Sequence, residues 1–231
     1  MKQENSMNSE TNAKTPEELS NNGFELMKAG DYDSALPLFL EAAELYAQDK
    51  DLKNKAVQLQ MISEIYRLTS NINEAVKTCE HLVELYEEIK EYEQEFRILN
   101  NMGLLEIGRK NYDRALVRFQ NALELAGKLG NKKNEAIQSG NIGSTYRDMN
   151  NSEKAIEYYE KALRLYEESG QREGVADQYT NIAYIHVTEK RFEEALEFYQ
   201  KALPVYMETE NSDKAQFTRQ NIEKLEAIIS Q

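Results

Sequence analysis

The chain is poor in the residues that most strand-rich folds and most enzymes need. Its 231 residues include one cysteine, three prolines, ten glycines, two histidines and no tryptophan. A single cysteine cannot close an internal disulfide, which suits a reducing compartment. So few prolines and glycines leave little of the turn chemistry of a β-rich fold, and the balance reads as helical. Positive charge is also scarce, with 28 Lys and Arg against 41 Asp and Glu and a net charge of −13. Such a surface repels phosphate backbones and anionic headgroups, which argues against nucleic-acid and membrane partners. No run approaches the roughly 18 apolar residues of a membrane helix. The opening MKQENSMNSETNAKT lacks the apolar core of a secretory signal, so the chain reads as cytoplasmic.

Catalytic groups are equally thin. His81 and His186 are the only histidines, and no Cys–x–x–Cys, His–Glu–x–x–His or glycine-rich phosphate loop occurs. His81 stands beside Glu80 on a solvated helix face. Carboxylate pairs such as Glu87-Glu88 and Glu193-Glu194 read as solvated surface, and Lys132-Lys133 is too short a basic run for nucleic acid. The expectation is a non-enzymatic protein with no cofactor and no metal.

What the chain does have is a beat. Ala35, Ala75, Ala115, Ala155 and Ala195 are spaced by 40 residues. Twelve residues before each lies a small residue: Gly23, Ser63, Gly103, Gly143 and Ala183. Four residues after each lies Phe39, Cys79, Phe119, Tyr159 or Tyr199, and ten after lies Leu45, Leu85, Leu125, Leu165 or Val205. A fixed period of this size marks a repeat array, whose units bury their apolar faces only by stacking on neighbours. Cys79 falls in the mostly aromatic column and reads as a small buried apolar residue.

Each repeat reads as two amphipathic helices. Phe96, Leu99, Met102 and Leu105 form the stripe of one; Ala115, Leu116, Phe119, Ala122 and Leu123 form that of the next. First helices are expected near 16–29, 52–69, 92–109, 133–149 and 172–189, and second helices near 32–48, 72–89, 112–129, 152–168 and 192–208. A last helix near 212–229 is expected to cover the end of the stack. Repeats then span about 16–50, 51–90, 91–130, 131–170 and 171–210 within a domain of 15–231, after a disordered tail of 1–14. Thr15-Pro16-Glu17-Glu18 carries a capping box with proline at the first helical position. Asp31, Asn71, Asn111 and Asn151 are placed to cap second helices. The small and alanine columns let the two helices of a repeat approach closely. Pro37 and Pro204 fall inside second helices, where each removes a backbone hydrogen bond; a bend is expected at Pro204.

These columns resemble the tetratricopeptide repeat: Ile142-Gly143 with Tyr146, then Ala155 with Tyr159, carry the pattern in full. Met102-Gly103 with Ala115 and Phe119, and Ile182-Ala183 with Ala195 and Tyr199, keep most of it. The resemblance covers about residues 16–231. The period exceeds the usual roughly 34 residues, as in the long-repeat subgroup similar to kinesin light chains and the cell-division scaffold that binds Gα subunits. The family's tryptophan is absent, His186 replaces a family tyrosine and reads as packed, and the second repeat departs most. The resemblance implies an all-α, right-handed α-solenoid of helix-turn-helix repeats with a C-terminal capping helix. It also implies a concave groove along the first helices that takes a peptide or a helix.

The residues of that face can be read directly. Asn21, Asn101, Asn141 and Asn181 precede the small column by two, with Met61 breaking the series and Asn221 resuming it. Asparagine disfavours helix interiors, and its amide matches a peptide bond as donor and acceptor. First helices about 10 Å apart would place one such amide at every third residue of an extended peptide advancing about 3.3 Å per residue. The alternative is an asparagine bonding the adjacent helix. The stripe at −6, −2, +1 and +4 from the small column holds Arg67, Arg97 and Arg147 against Glu17, Glu64 and Asp177, with Tyr184 beside Asn181. That is net zero in a chain of −13, so the middle of the groove reads as locally positive. Arginines there suit an acidic, or mixed acidic and apolar, partner segment; the alternative is arginine paired with a neighbouring Glu. The functional expectation is a protein-interaction adaptor using Asn101, Asn141, Asn181, Arg67, Arg97, Arg147 and Tyr184. The alternatives are a self-association or assembly module, or a regulator that binds a partner enzyme.

Overall fold

The computed structural model describes residues 14–230, so the expected disordered tail lies outside the described residues except for Lys14. Among the described residues there are α-helices and no strand. The helices are α1 (Pro16–Lys28), α2 (Tyr32–Gln48), α3 (Leu52–Leu68), α4 (Ile72–Glu88), α5 (Tyr92–Gly108) and α6 (Tyr112–Lys128). They continue with α7 (Lys132–Asp148), α8 (Ser152–Glu168), α9 (Arg172–Thr188), α10 (Phe192–Glu208) and α11 (Ser212–Ile229). The chain divides into two compact units, one ending at Glu95 and one beginning at Phe96.

One turn design ends every helix from α1 to α10. Positions 30, 50, 70, 90, 110, 130, 150, 170, 190 and 210 have φ between 56° and 79°, and seven of them are not glycine. The next residue donates its N–H to the carbonyl five back, as in Asp31 to Leu26 at 2.9 Å, Asn111 to Glu106 at 2.9 Å and Asn211 to Tyr206 at 3.0 Å. This is a Schellman motif, and it satisfies carbonyls that the helix end would leave unpaired. That same residue is the N-cap of the following helix. Asp31, Asp51, Asn131, Asn151 and Asn211 accept an amide N–H three residues on. Asn71 and Asn111 do not, contrary to the sequence reading. The Asn111 amide instead donates to the buried Glu106 carboxylate at 2.7 Å, a group far costlier to leave unpaired than a helix N–H. The capping box at Thr15 forms in both directions. α2 and α10 run unbroken through Pro37 and Pro204.

In the N-terminal unit α2 packs on α1 and α3, and α4 packs on α3. Phe39, Ala35, Ala43, Ile62 and Ile65 form its core, with Phe24 edge-on to Phe39 at 5.3 Å. In the C-terminal unit α7 packs on α6 and α8, α9 on α8 and α10, and α11 on α10. The small column makes these hairpins fit. A Cβ at Gly103 would stand 2.3 Å from the Phe119 ring, and one at Gly143 would stand 2.7 Å from Tyr159 and 3.2 Å from the Ala155 carbonyl. The glycines thus admit the aromatic column of their own hairpin as well as its alanine. Ala35, Ala115, Ala155 and Ala195 are fully buried, and Cys79 is buried as expected.

Candidate peptide-binding face

In the C-terminal unit the expected site residues lie on α5, α7 and α9. Asn101 is exposed on α5; Asn141 and Asn181 are half-buried on α7 and α9. Asn141 donates from Nδ2 to Asn100 Oδ1 at 3.0 Å and to Gln138 Oε1 at 3.4 Å. Gln138 is fully buried and donates from Nε2 to the same Asn100 oxygen at 2.9 Å. Asn181 donates in the same way to the buried Gln178, at 3.5 Å. Gln178 in turn sits over Gly140, where a Cβ would meet its Oε1 at 3.5 Å. The donor end of Asn141 is therefore spent on the first-helix layer, whereas Asn181 engages one of its two N–H groups. Asn141 retains for a ligand a carbonyl oxygen, an acceptor for a peptide N–H, and Asn181 retains that acceptor together with one N–H.

Buried amides must be paired, and this network is what the sequence reading missed. Its signal is a further column: Gln58, Gln138 and Gln178 each stand five residues before the small column.

The structure brings Arg147 and Tyr184 together. The guanidinium carbon lies 5.8 Å from the ring centroid, a cation–π geometry bridging α7 and α9. The same guanidinium donates to Asp148 Oδ1 at 3.0 and 2.9 Å. Leu104 is 51% exposed and Tyr184 49%, at matching positions of α5 and α9, and Arg97 is exposed on α5. Asp177 is already matched. Lys214 of α11 donates to it at 2.7 Å and to Glu173 at 2.9 Å, and the Tyr206 hydroxyl donates to it at 2.7 Å. Burial first, then the bond to Asp177, pushes the Tyr206 phenol far up, so it stays a donor. Asp177 is thus matched by Lys214, as Arg147 is by Asp148. His186 is buried and stacked on Phe198 at 5.5 Å, a packed residue.

In the N-terminal unit Arg67 is gripped by Glu64 of its own helix, Nε to Oε2 at 2.7 Å and Nη2 to Oε1 at 2.5 Å. That bond holds the Glu64 carboxyl below its usual range. The arrangement is the paired alternative weighed from the sequence. Among the described residues no helix is long and apolar enough to cross a membrane, and no three His, Cys, Asp or Glu side chains converge as a metal site.

A tetratricopeptide repeat model matches the chain in three overlapping windows, residues 56–128, 94–168 and 135–208. No curated protein matches it in sequence. Among solved structures, a signal transduction ATPase with a tetratricopeptide repeat sensor from Pyrococcus horikoshii is 22% identical at a TM-score of 0.68, over 90% of this chain and 32% of its own. The apo form of RapI is 17% identical at 0.76, over 93% of this chain and 63% of its own. A Rap protein complexed with competence and sporulation factor is 15% identical at 0.61, over 93% and 64%. The chain thus spans less than two thirds of each of these proteins, and the likeness is one of fold.

Proposed function

This chain belongs to the tetratricopeptide repeat family, and on that premise we propose that it is a non-enzymatic adaptor. It binds an extended or helical segment of a partner protein along α5, α7 and α9. The observation that carries the reading is the Arg147–Tyr184 pair, which bridges the two helices that carry the half-buried Asn141 and Asn181. An exposed aromatic, an arginine and side-chain amides on one face are what peptide recognition uses. Arg97, together with Arg147 once it exchanges Asp148 for a partner carboxylate, selects an acidic, or mixed acidic and apolar, segment. In the N-terminal unit, Arg67 meets a partner carboxylate only by exchanging Glu64 for it. The Rap protein complexed with competence and sporulation factor lends support, as a similar fold with a bound partner.

The test is capture of a partner from native lysate by the parent and by an Arg147→Glu, Tyr184→Ser double variant with an unchanged melting curve. The partner should be lost with the double variant and weakened by Asn101→Ala. Equal capture by both proteins would remove the reading. Self-association is the second reading, favoured by the exposed Met207, Phe217 and Ile228 on α10 and α11. It requires a mass by light scattering that rises with concentration.

A further inference from the structure

The N-terminal unit has a cleft of its own, of about 520 Å³, walled by α1 on one side and α3 on the other. Glu17 and Asn21 line it from α1, Tyr46 from α2, and Asp51, Asn54 and Gln58 from the start of α3. Two carboxylates and no lysine or arginine stand in its wall. Asp51 is partly engaged as a helix cap, accepting from the Asn54 amide at 3.0 Å and from the Asn54 side chain at 2.7 Å. Burial, then Glu17 and Asp51, push the Tyr46 phenol up. Gln58 is the telling residue. It is 2% exposed, its Nε2 reaches the Asn54 carbonyl at 3.4 Å, and its Oε1 is buried without a hydrogen-bond partner. Native folds rarely leave a buried carbonyl oxygen unpaired, and the residue that carries this one lines the acidic cleft.

We propose that this cleft binds an arginine side chain of a partner peptide, with the guanidinium donating to Gln58 Oε1 and to the Glu17 carboxylate. Arginine fits better than lysine for a physical reason. Its planar fork presents five N–H donors at fixed positions, enough to reach a deep neutral acceptor and a shallow charged one together. It also sheds water more readily than an ammonium. The charge preference is opposite to that of the α5–α7–α9 face, so this site stands or falls independently of that reading.

The experiment titrates the isotope-labelled full chain with the amidated peptide acetyl-Gly-Gly-Arg-Gly-Gly. Saturable shifts should be confined to the amides around Glu17, Asn21, Asn54 and Gln58. Gln58→Met removes the acceptor at nearly constant shape and charge, and should weaken binding about tenfold, the usual worth of a hydrogen bond to a charged group. Glu17→Gln, at the exposed start of α1, should weaken it roughly two- to fivefold. The lysine counterpart should bind more weakly than the arginine peptide. Binding unaffected by Gln58→Met, or non-saturating shifts spread over the acidic surface, would overturn the proposal. So would free arginine binding as tightly as the peptide, since the ligand would then be the amino acid. Should Gln58→Met fail to fold, the Glu17→Gln titration and the arginine–lysine comparison decide.

Discussion

Gly103 shows how far one hydrogen atom carries this fold. The space that its absent side chain leaves is filled by Phe119, so Gly103→Ala forces a methyl group to within 2.3 Å of a ring with nowhere to go. Overpacking of this kind costs about 1–3 kcal/mol. The urea midpoint should fall accordingly, and Phe119→Leu in the same chain should recover part of the loss, because the two sites couple. His186 is the other residue with a measurable signature. Burial, with Arg191 nearby, lowers its pKa from 6.5, so the folded ring prefers to be neutral. The unfolded chain takes up a proton first as pH falls. This contribution to stability is therefore complete above about pH 7 and shrinks as pH drops through 6.5. Urea denaturation should show lower stability at pH 5.5 than at pH 7.5, and His186→Tyr should flatten that slope. The slope surviving in the variant would assign it to other groups.

At the scale of the element, the turns decide where helices stop. Lys50, Ser70, Lys90, Lys110, Asn150, Lys190 and Glu210 all hold a left-handed conformation that costs an L-residue roughly 1–2 kcal/mol. Lys190→Gly removes that cost while leaving the Arg191-to-His186 hydrogen bond of 2.9 Å in place. It should raise the unfolding free energy by about 1 kcal/mol, less what glycine's looser unfolded chain gives back. A fall in Tm would show the turn to be held by something other than backbone. The helices and their all-α fold are legible in the sequence because small, alanine and aromatic columns share one period. The turn conformation is less so: lysine and glutamate do not advertise positive φ, and only the regular placement of Gly30, Gly130 and Gly170 hints at it. The Asn100–Gln138–Asn141 network is hidden for a related reason. A glutamine on a helix reads as solvated until a neighbouring helix arrives to bury it. The same holds for Asp177, whose charge reads as available on the groove stripe until Lys214, 37 residues on, neutralises it.

At the scale of the molecule, helices within each unit pack on their neighbours in sequence, so damage should spread by adjacency. Ala155→Leu, at a fully buried position in the first turn of α8, should cost about 1–3 kcal/mol. In hydrogen exchange the lost protection should concentrate in α7, α8 and α9 and spare α1 to α3. Uniform loss along the chain would instead mean a single cooperative unit.

The identical joints have a further meaning for chain length. Residues 131–170 can be excised so that Gly130 runs directly into Gln171, and the splice has the same left-handed residue and the same cap position as the joints it replaces. No loop has to be redesigned to shorten or lengthen the series by one hairpin. The number of hairpins is thus set by how many copies are strung together, and not by any connection built for one place.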